Sequence, residues 1–212
     1  MRRWVVVVCV MLVAVVARGE PAPKIVVELP KDRAACGRLS LLDSAGKRVA
    51  GPFEACGKAD GKTARRKNNP GRSTILPFGD TPTGGYRVTR VFKVGTASHP
   101  AKSYGDYAAI GLQPQSGEAK LAADAGRVGL LIHGGDLGPT GKLRPTNGCV
   151  RLSNADMRKL VDEMVLLAAR ERPPESCSIE LSTTVQVSEP APDSDYEAGD
   201  PPPIPQTGGI LP

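Results

Sequence analysis

The chain has 212 residues, a formal charge of +6, 24 Gly and 20 Pro, and only 4% aromatics. Helix breakers at that density exclude a helical bundle or coiled coil. The shortage of rings argues against an aromatic-lined platform for sugars or single-stranded nucleic acid, and the length suits one domain with appendages.

Residues 1–19 read as a secretory signal. Arg2 and Arg3 form its charged start, and residues 4–17 are a charge-free apolar run of 14, short of the roughly 20 residues a spanning helix needs. Small residues follow, with Val15 and Ala17 or Ala17 and Gly19 placed for cleavage. The competing reading is an uncleaved anchor. Cys9 lies inside the run and is expected to leave with it. At the other end, residues 188–212 are rich in Pro and Gly, with five acids (Glu189, Asp193, Asp195, Glu197, Asp200) and no Lys or Arg. Such a tail buries too little apolar surface to order itself and is expected to be disordered.

Residues 20–187 carry 25 basic and 17 acidic side chains, near +8. An exported basic body points to an anionic surface such as the cell wall. Nucleic acid is not an expected partner, nor is a stable membrane span once the signal is removed. The run Lys62, Arg65, Arg66, Lys67 and Arg72 reads either as a solvated loop or as a contact for anionic polymers.

In chain order, residues 24–29 form a short β-prone run within an N-terminal lead-in, 20–35. Residues 37–43 and 47–54 flank Ser44-Ala45-Gly46 and predict a hairpin. Residues 86–94 alternate as a strand, and 107–112 and 127–132 are apolar runs, the second continuous enough to be buried on both faces. One helix is expected after Ser153, which with Asp156 makes an acidic capping box. Met157, Leu160, Val161, Met164 and then Leu167 or Ala168 follow at helical spacing, up to Pro173-Pro174. Residues 178–187 predict a last strand. The sum is a mainly β domain with one packed helix.

Two histidines are present. His133 opens a His-Gly-Gly-Asp loop directly after an apolar run. Cys149 stands in Thr146-Asn147-Gly148-Cys149-Val150-Arg151-Leu152, just ahead of the helix cap. A cysteine nucleophile requires a base within reach to generate thiolate. A preceding glycine allows a tight turn that presents N–H groups to an oxyanion. From spacing alone, a disulfide cysteine and a loop histidine are the favoured reading.

The ordered strings Ile-His-Gly-Gly, Thr-Asn-Gly-Cys-Val-Arg-Leu and Asn-x-Asp resemble the signature of the L,D-transpeptidase (YkuD-type) catalytic domain. The Thr81-Pro82-Thr83-Gly84-Gly85-Tyr86 segment and the hairpin over residues 39–56 are similar to that family's upstream elements. The resemblance covers about residues 36–187. It implies an L,D-transpeptidase-like β-sandwich of mixed sheets that cross-links peptidoglycan stem peptides, with no cofactor. Carried over by position, it implies Cys149 as nucleophile, His133 as base, the Gly134 carbonyl as the group orienting the imidazole, and the N–H groups of Gly148 and Cys149 as the oxyanion hole. Arg151 then holds a substrate carboxylate, positions its loop, or pairs with an acid such as Asp156. Asn147 stands where many members have His and is read as tuning the loop. Tyr86 is counted with Arg151 and Asn147 as a substrate contact. The resemblance also suggests a carbapenem as a candidate acylating agent for Cys149, and the sequence leaves open whether one reacts.

Three other readings remain. One is an L,D-carboxypeptidase using the same pair with water as acceptor. Another is a papain-like peptidase, disfavoured because His133 precedes Cys149. The third is an inactive wall-binding module. No metal site is expected, because no His-x-x-x-His pair or close-spaced cysteines occur. His99 reads as a surface-loop residue. Cys36 and Cys56 are expected to pair across the hairpin strands, with Cys177 as the alternative partner, and the protein is expected to be a monomer.

Overall fold

The computed structural model describes residues 22–171 and, by backbone alone, 184–188. The signal segment, Cys177 and the tail beyond Ser188 lie outside the described residues. The strands are β1 (Lys24–Glu28), β2 (Gly37–Leu42), β3 (Arg48–Ala55), β4 (Gly84–Lys93), β5 (Ala108–Pro114), β6 (Leu131–His133), β7 (Val150–Arg151) and β8 (Thr184–Ser188). The helices are α1 (Gly61–Arg66), α2 (Ala101–Tyr104), α3 (Gly117–Asp124) and α4 (Asn154–Glu171).

The chain is mainly β with mixed pairing. The eight strands form one hydrogen-bonded ladder, ordered β3-β2-β1-β8-β4-β5-β6-β7. The β1–β8 and β6–β7 pairs are parallel, and the remaining pairs are antiparallel. The two ends of the ladder meet, since Cys56 and Arg151 exchange both backbone hydrogen bonds, at 3.0 and 2.8 Å. A sheet that returns on itself leaves no long open edge. It also brings its halves face to face across one core containing Ile25, Val27, Leu39 and Leu41 from one side and Ile110, Ile132 and Val150 from the other. The strand β1 sits between β2 and β8, so the segment read as a lead-in is a central part of the sheet.

The hairpin turn follows from local chemistry. The Asp43 carboxylate accepts the Lys47 N–H at 2.8 Å, and Gly46 takes φ +81°, a left-handed value that a residue without Cβ adopts freely. Cys36 and Cys56 are joined by a disulfide.

The long helix α4 begins at the expected box. Ser153 Oγ accepts the Asp156 N–H at 3.0 Å and donates to the Asp156 carboxylate at 2.8 Å. Met157, Leu160, Val161, Met164 and Leu167 are all buried, so the helix lays one apolar stripe on the sheet. Three short helices sit in the connections and have no apolar periodicity to announce them. Of these, α3 buries only Ala119 and Ala122.

One expected strand is shorter than the apolar run. Over residues 127–132 only Leu131 and Ile132 are in β6, while Val128 is 84% exposed. Gly126 and Gly129 take φ values of +86° and +76°, which break an extended chain. Arg127 turns its side chain inward to backbone carbonyls instead of joining the sheet.

Candidate active site

The parallel register of β6 and β7 sets Ile132 beside Val150 and His133 beside Arg151. Because side chains alternate along a strand, Ile132 and Val150 point into the main core. His133, Arg151 and the preceding Cys149 share the opposite face. There Cys149 packs with Val94, Ala109 and Leu131, with Phe92 and Tyr104 against the group. By that alternation Cys149, one residue ahead of β7, falls on the same side of the pair as His133.

The His133 ring is 3% exposed, and its Nδ1 lies 2.7 Å from the Gly134 carbonyl. A carbonyl only accepts, so Nδ1 carries the proton and Nε2 keeps the free lone pair. Tyr104 stacks on the ring at 5.0 Å between centroids, and His99 and Phe92 continue the row at 4.9 and 5.1 Å. His99, read from sequence as a surface-loop residue, is half-buried within that row. Burial lowers the His133 pKa to about 4, helped by the charges of Arg151 and His99 and opposed by the Gly134 carbonyl.

Cys149 is a free thiol, 9% exposed, with Sγ 4.0 Å from the Gly129 carbonyl. Burial pushes its pKa up to about 11. The Leu131 backbone and the charges of Arg127 and Arg151 pull the other way. Around neutral pH the two groups therefore rest as thiol and neutral imidazole.

The cysteine loop is fixed by a polar floor. Thr81 Oγ1 donates to the Gly148 carbonyl at 2.9 Å, and Thr146 Oγ1 donates to the Cys149 carbonyl at 3.0 Å. Gly148 takes φ +106°, and a Cβ there would lie 1.9 Å from Arg127 Nη2 and 2.3 Å from the Gly79 carbonyl, so only glycine fits. The Gly148 N–H donates to Thr146 Oγ1 at 3.0 Å. That corrects half of the expected oxyanion pair, since a committed donor is not free for substrate. The Cys149 N–H has no acceptor among the described residues.

Arg151 is 3% exposed and donates to the carbonyls of Ser103 and Asp136, both at 3.0 Å. It ties the end of α2 to the loop after His133. Asp156 is occupied by Ser153 and Lys159 and does not pair with it. Asn147 is exposed. Tyr86 is not brought to the site: it is 0% exposed in the main core, and its hydroxyl donates to the Pro82 carbonyl at 2.7 Å. It holds the Thr-Pro-Thr-Gly turn from beneath and presents nothing to a substrate.

Several contributors were not singled out from sequence. Asn154 Oδ1 accepts the Gly135 N–H at 2.6 Å, and a Cβ on Gly134 would come within 2.4 Å of that oxygen. Thr81 and Asn154 lie in the motifs quoted above, so their signal was present. Arg127 and Tyr104 lie in none, and only the fold brings them in. Of the basic run, Arg72 pairs with Asp80 at 3.3 Å and Lys67 lies over the Phe78 ring, while Lys62, Arg65 and Arg66 are exposed. Cys36, Glu54 and Cys56 cluster as metal ligands would, but both sulfurs are held in the disulfide.

The family model of the L,D-transpeptidase catalytic domain matches residues 46–187. A crystal structure of L,D-transpeptidase 1 from Mycobacterium tuberculosis aligns with 78% of this chain and 60% of its own, at 14% identity and a TM-score of 0.34. No curated protein matches the chain.

Proposed function

Because the chain belongs to the L,D-transpeptidase catalytic domain family, we propose that it is a cysteine-dependent acyltransferase acting on peptidoglycan stem peptides outside the cytoplasm. The observation that carries this reading is the placement of Cys149 and His133 on one face of the β6–β7 pair, with Nδ1 of the imidazole held by the Gly134 carbonyl.

In the proposed reaction, Nε2 of His133 takes the Cys149 thiol proton as Sγ attacks the carbonyl of the stem's third residue. The Cys149 N–H stabilises the oxyanion. The C–N bond to the terminal D-amino acid breaks, and the imidazolium returns its proton to the leaving amine. The remaining thioester is attacked by an amine of a second stem peptide, whose proton passes to His133 and then to the released thiolate. Arg151 acts as a positioning residue for the loop after His133. The basic body is suited to an anionic wall surface, and among the described residues no helix is long and apolar enough to cross a membrane.

The test is product mass after incubation with a purified tetrapeptide stem. The wild type is expected to release the D-amino acid and form a cross-linked dimer, and Cys149→Ala is expected to do neither. Trimmed tripeptide without dimer would reassign the acceptor to water. Unchanged turnover in Cys149→Ala would sink the enzyme reading and favour a wall-binding module.

A further inference from the structure

Three arginines are buried in the described structure: Arg33, Arg127 and Arg151, at 5%, 3% and 3% exposure. All three spend their hydrogen bonds on backbone carbonyls. Arg33 reaches those of Leu29, Pro30 and Thr81; Arg127 those of Thr74 and Gly79; Arg151 those of Ser103 and Asp136. Among the described residues none of the three has a carboxylate within ion-pair distance. A buried guanidinium without an acid keeps an uncompensated charge, which is costly to desolvate.

Arg127 is set apart by what it touches. Its Nη2 donates to the Gly79 carbonyl at 2.7 Å and fills the space a Gly148 side chain would occupy. The guanidinium therefore abuts, through Nη2, the residue preceding the nucleophile. The charged and titratable groups that act on it are Tyr86, Cys149, Asp80 and Glu118. Tyr86 is a neutral phenol donating to Pro82. Asp80 accepts from Ala59 N–H and pairs with Arg72, and Glu118 accepts from Thr74 and Thr83. The nearby acids already have partners of their own. Cys149 is left as the group whose charge changes in this neighbourhood.

We propose that Arg127 is a positioning residue for the reaction, holding the Gly148 turn and supplying the fixed positive charge that favours the anionic states of Cys149. The proposal rests on Cys149 being the nucleophile. It explains why a buried cation is kept without a counter-ion: its counter-ion is the thiolate, and then the oxyanion, formed during turnover. A role as a spacer alone would be met by any side chain of similar length.

The test titrates the Cys149 thiol by ultraviolet thiolate absorbance, with the Cys149→Ser protein subtracted, in wild type, Arg127→Gln and Arg127→Lys. Arg127→Gln keeps a donor for the Gly79 carbonyl but no charge. It is expected to raise the midpoint by about one pKa unit, a tenfold loss of thiolate at a given pH. Arg127→Lys is expected to recover most of that shift. Equal midpoints in all three proteins would overturn the proposal. If Arg127→Gln does not fold, the Arg127 side-chain nitrogen resonance of the wild type answers instead. It should titrate at the thiol midpoint and stay flat in Cys149→Ser, and a flat resonance in both would overturn the proposal. Neither readout uses peptidoglycan, so failure of transpeptidation leaves this result standing on its own.

Discussion

The two faces of the β6–β7 pair are both buried and chemically opposite. On one, Ile132, Val150 and Leu152 join the main core, all 0% exposed and wholly apolar. On the other, His133, Cys149 and Arg151 are nearly as dry, at 3%, 9% and 3%. The first face needs no partners beyond close packing. The second is held by hydrogen bonds to backbone carbonyls and keeps its two reactive groups neutral through desolvation. Burial stabilises the fold on one side of the same strands and on the other holds two titratable groups in their neutral forms, because removing water penalises groups that become charged.

Substitution on the apolar face should produce the largest stability effect. Ile132→Ala is expected to cost about 2–5 kcal/mol in urea unfolding, whereas Cys149→Ala should change stability by less than about 1 kcal/mol while removing turnover. Comparable losses from both would erase the contrast between the faces.

The reactive face carries its own pH signature. Burial lowers the His133 pKa from 6.5 to about 4, so between those values the unfolded chain binds a proton that the folded chain refuses. Stability contributed by keeping this ring neutral is present above pH 6.5 and is lost as pH falls towards 4, by about 3 kcal/mol at most. Urea unfolding at the two pH values should show this component in the wild type and lack it in His133→Gln. An identical pH slope in both proteins would mean the ring is not desolvated.

The smallest effect sharpens the assignment of Tyr86. Removing its hydroxyl in Tyr86→Phe leaves the Pro82 carbonyl without its donor, at a cost of about 1 kcal/mol in unfolding, with kcat/KM unchanged. Lost activity at unchanged stability would return Tyr86 to the substrate.

These faces were unequally legible in the sequence. The apolar stripe of α4, its Ser153–Asp156 box and the hairpin around Gly46 are local patterns, readable because each contact spans a few residues. His133 and Cys149 stood out through the strings around them. Arg127 did not, because its partners are the carbonyls of Thr74 and Gly79, roughly fifty residues away in the chain and brought near only by folding. The Gly148 N–H was offered to an oxyanion for a different reason: the local turn that gives it to Thr146, two residues earlier, depends on a backbone conformation that the string of residue types does not state. The run 127–132 looked like one strand because hydropathy does not register the left-handed backbone at Gly126 and Gly129. The strand β1 was legible as a β-prone run, but not its central place, because five residues carry no sign of being paired on both sides.

The central claim is that Cys149 carries the acyl group between donor and acceptor. Intact-mass analysis of the full chain, acid-quenched during turnover of a tetrapeptide stem, tests it most directly. The account predicts a mass gain equal to the tripeptide acyl group, mapped to the peptide containing Cys149, discharged by added acceptor amine and absent from Cys149→Ala. An acyl adduct on another residue, or one that persists in Cys149→Ala, would contradict it.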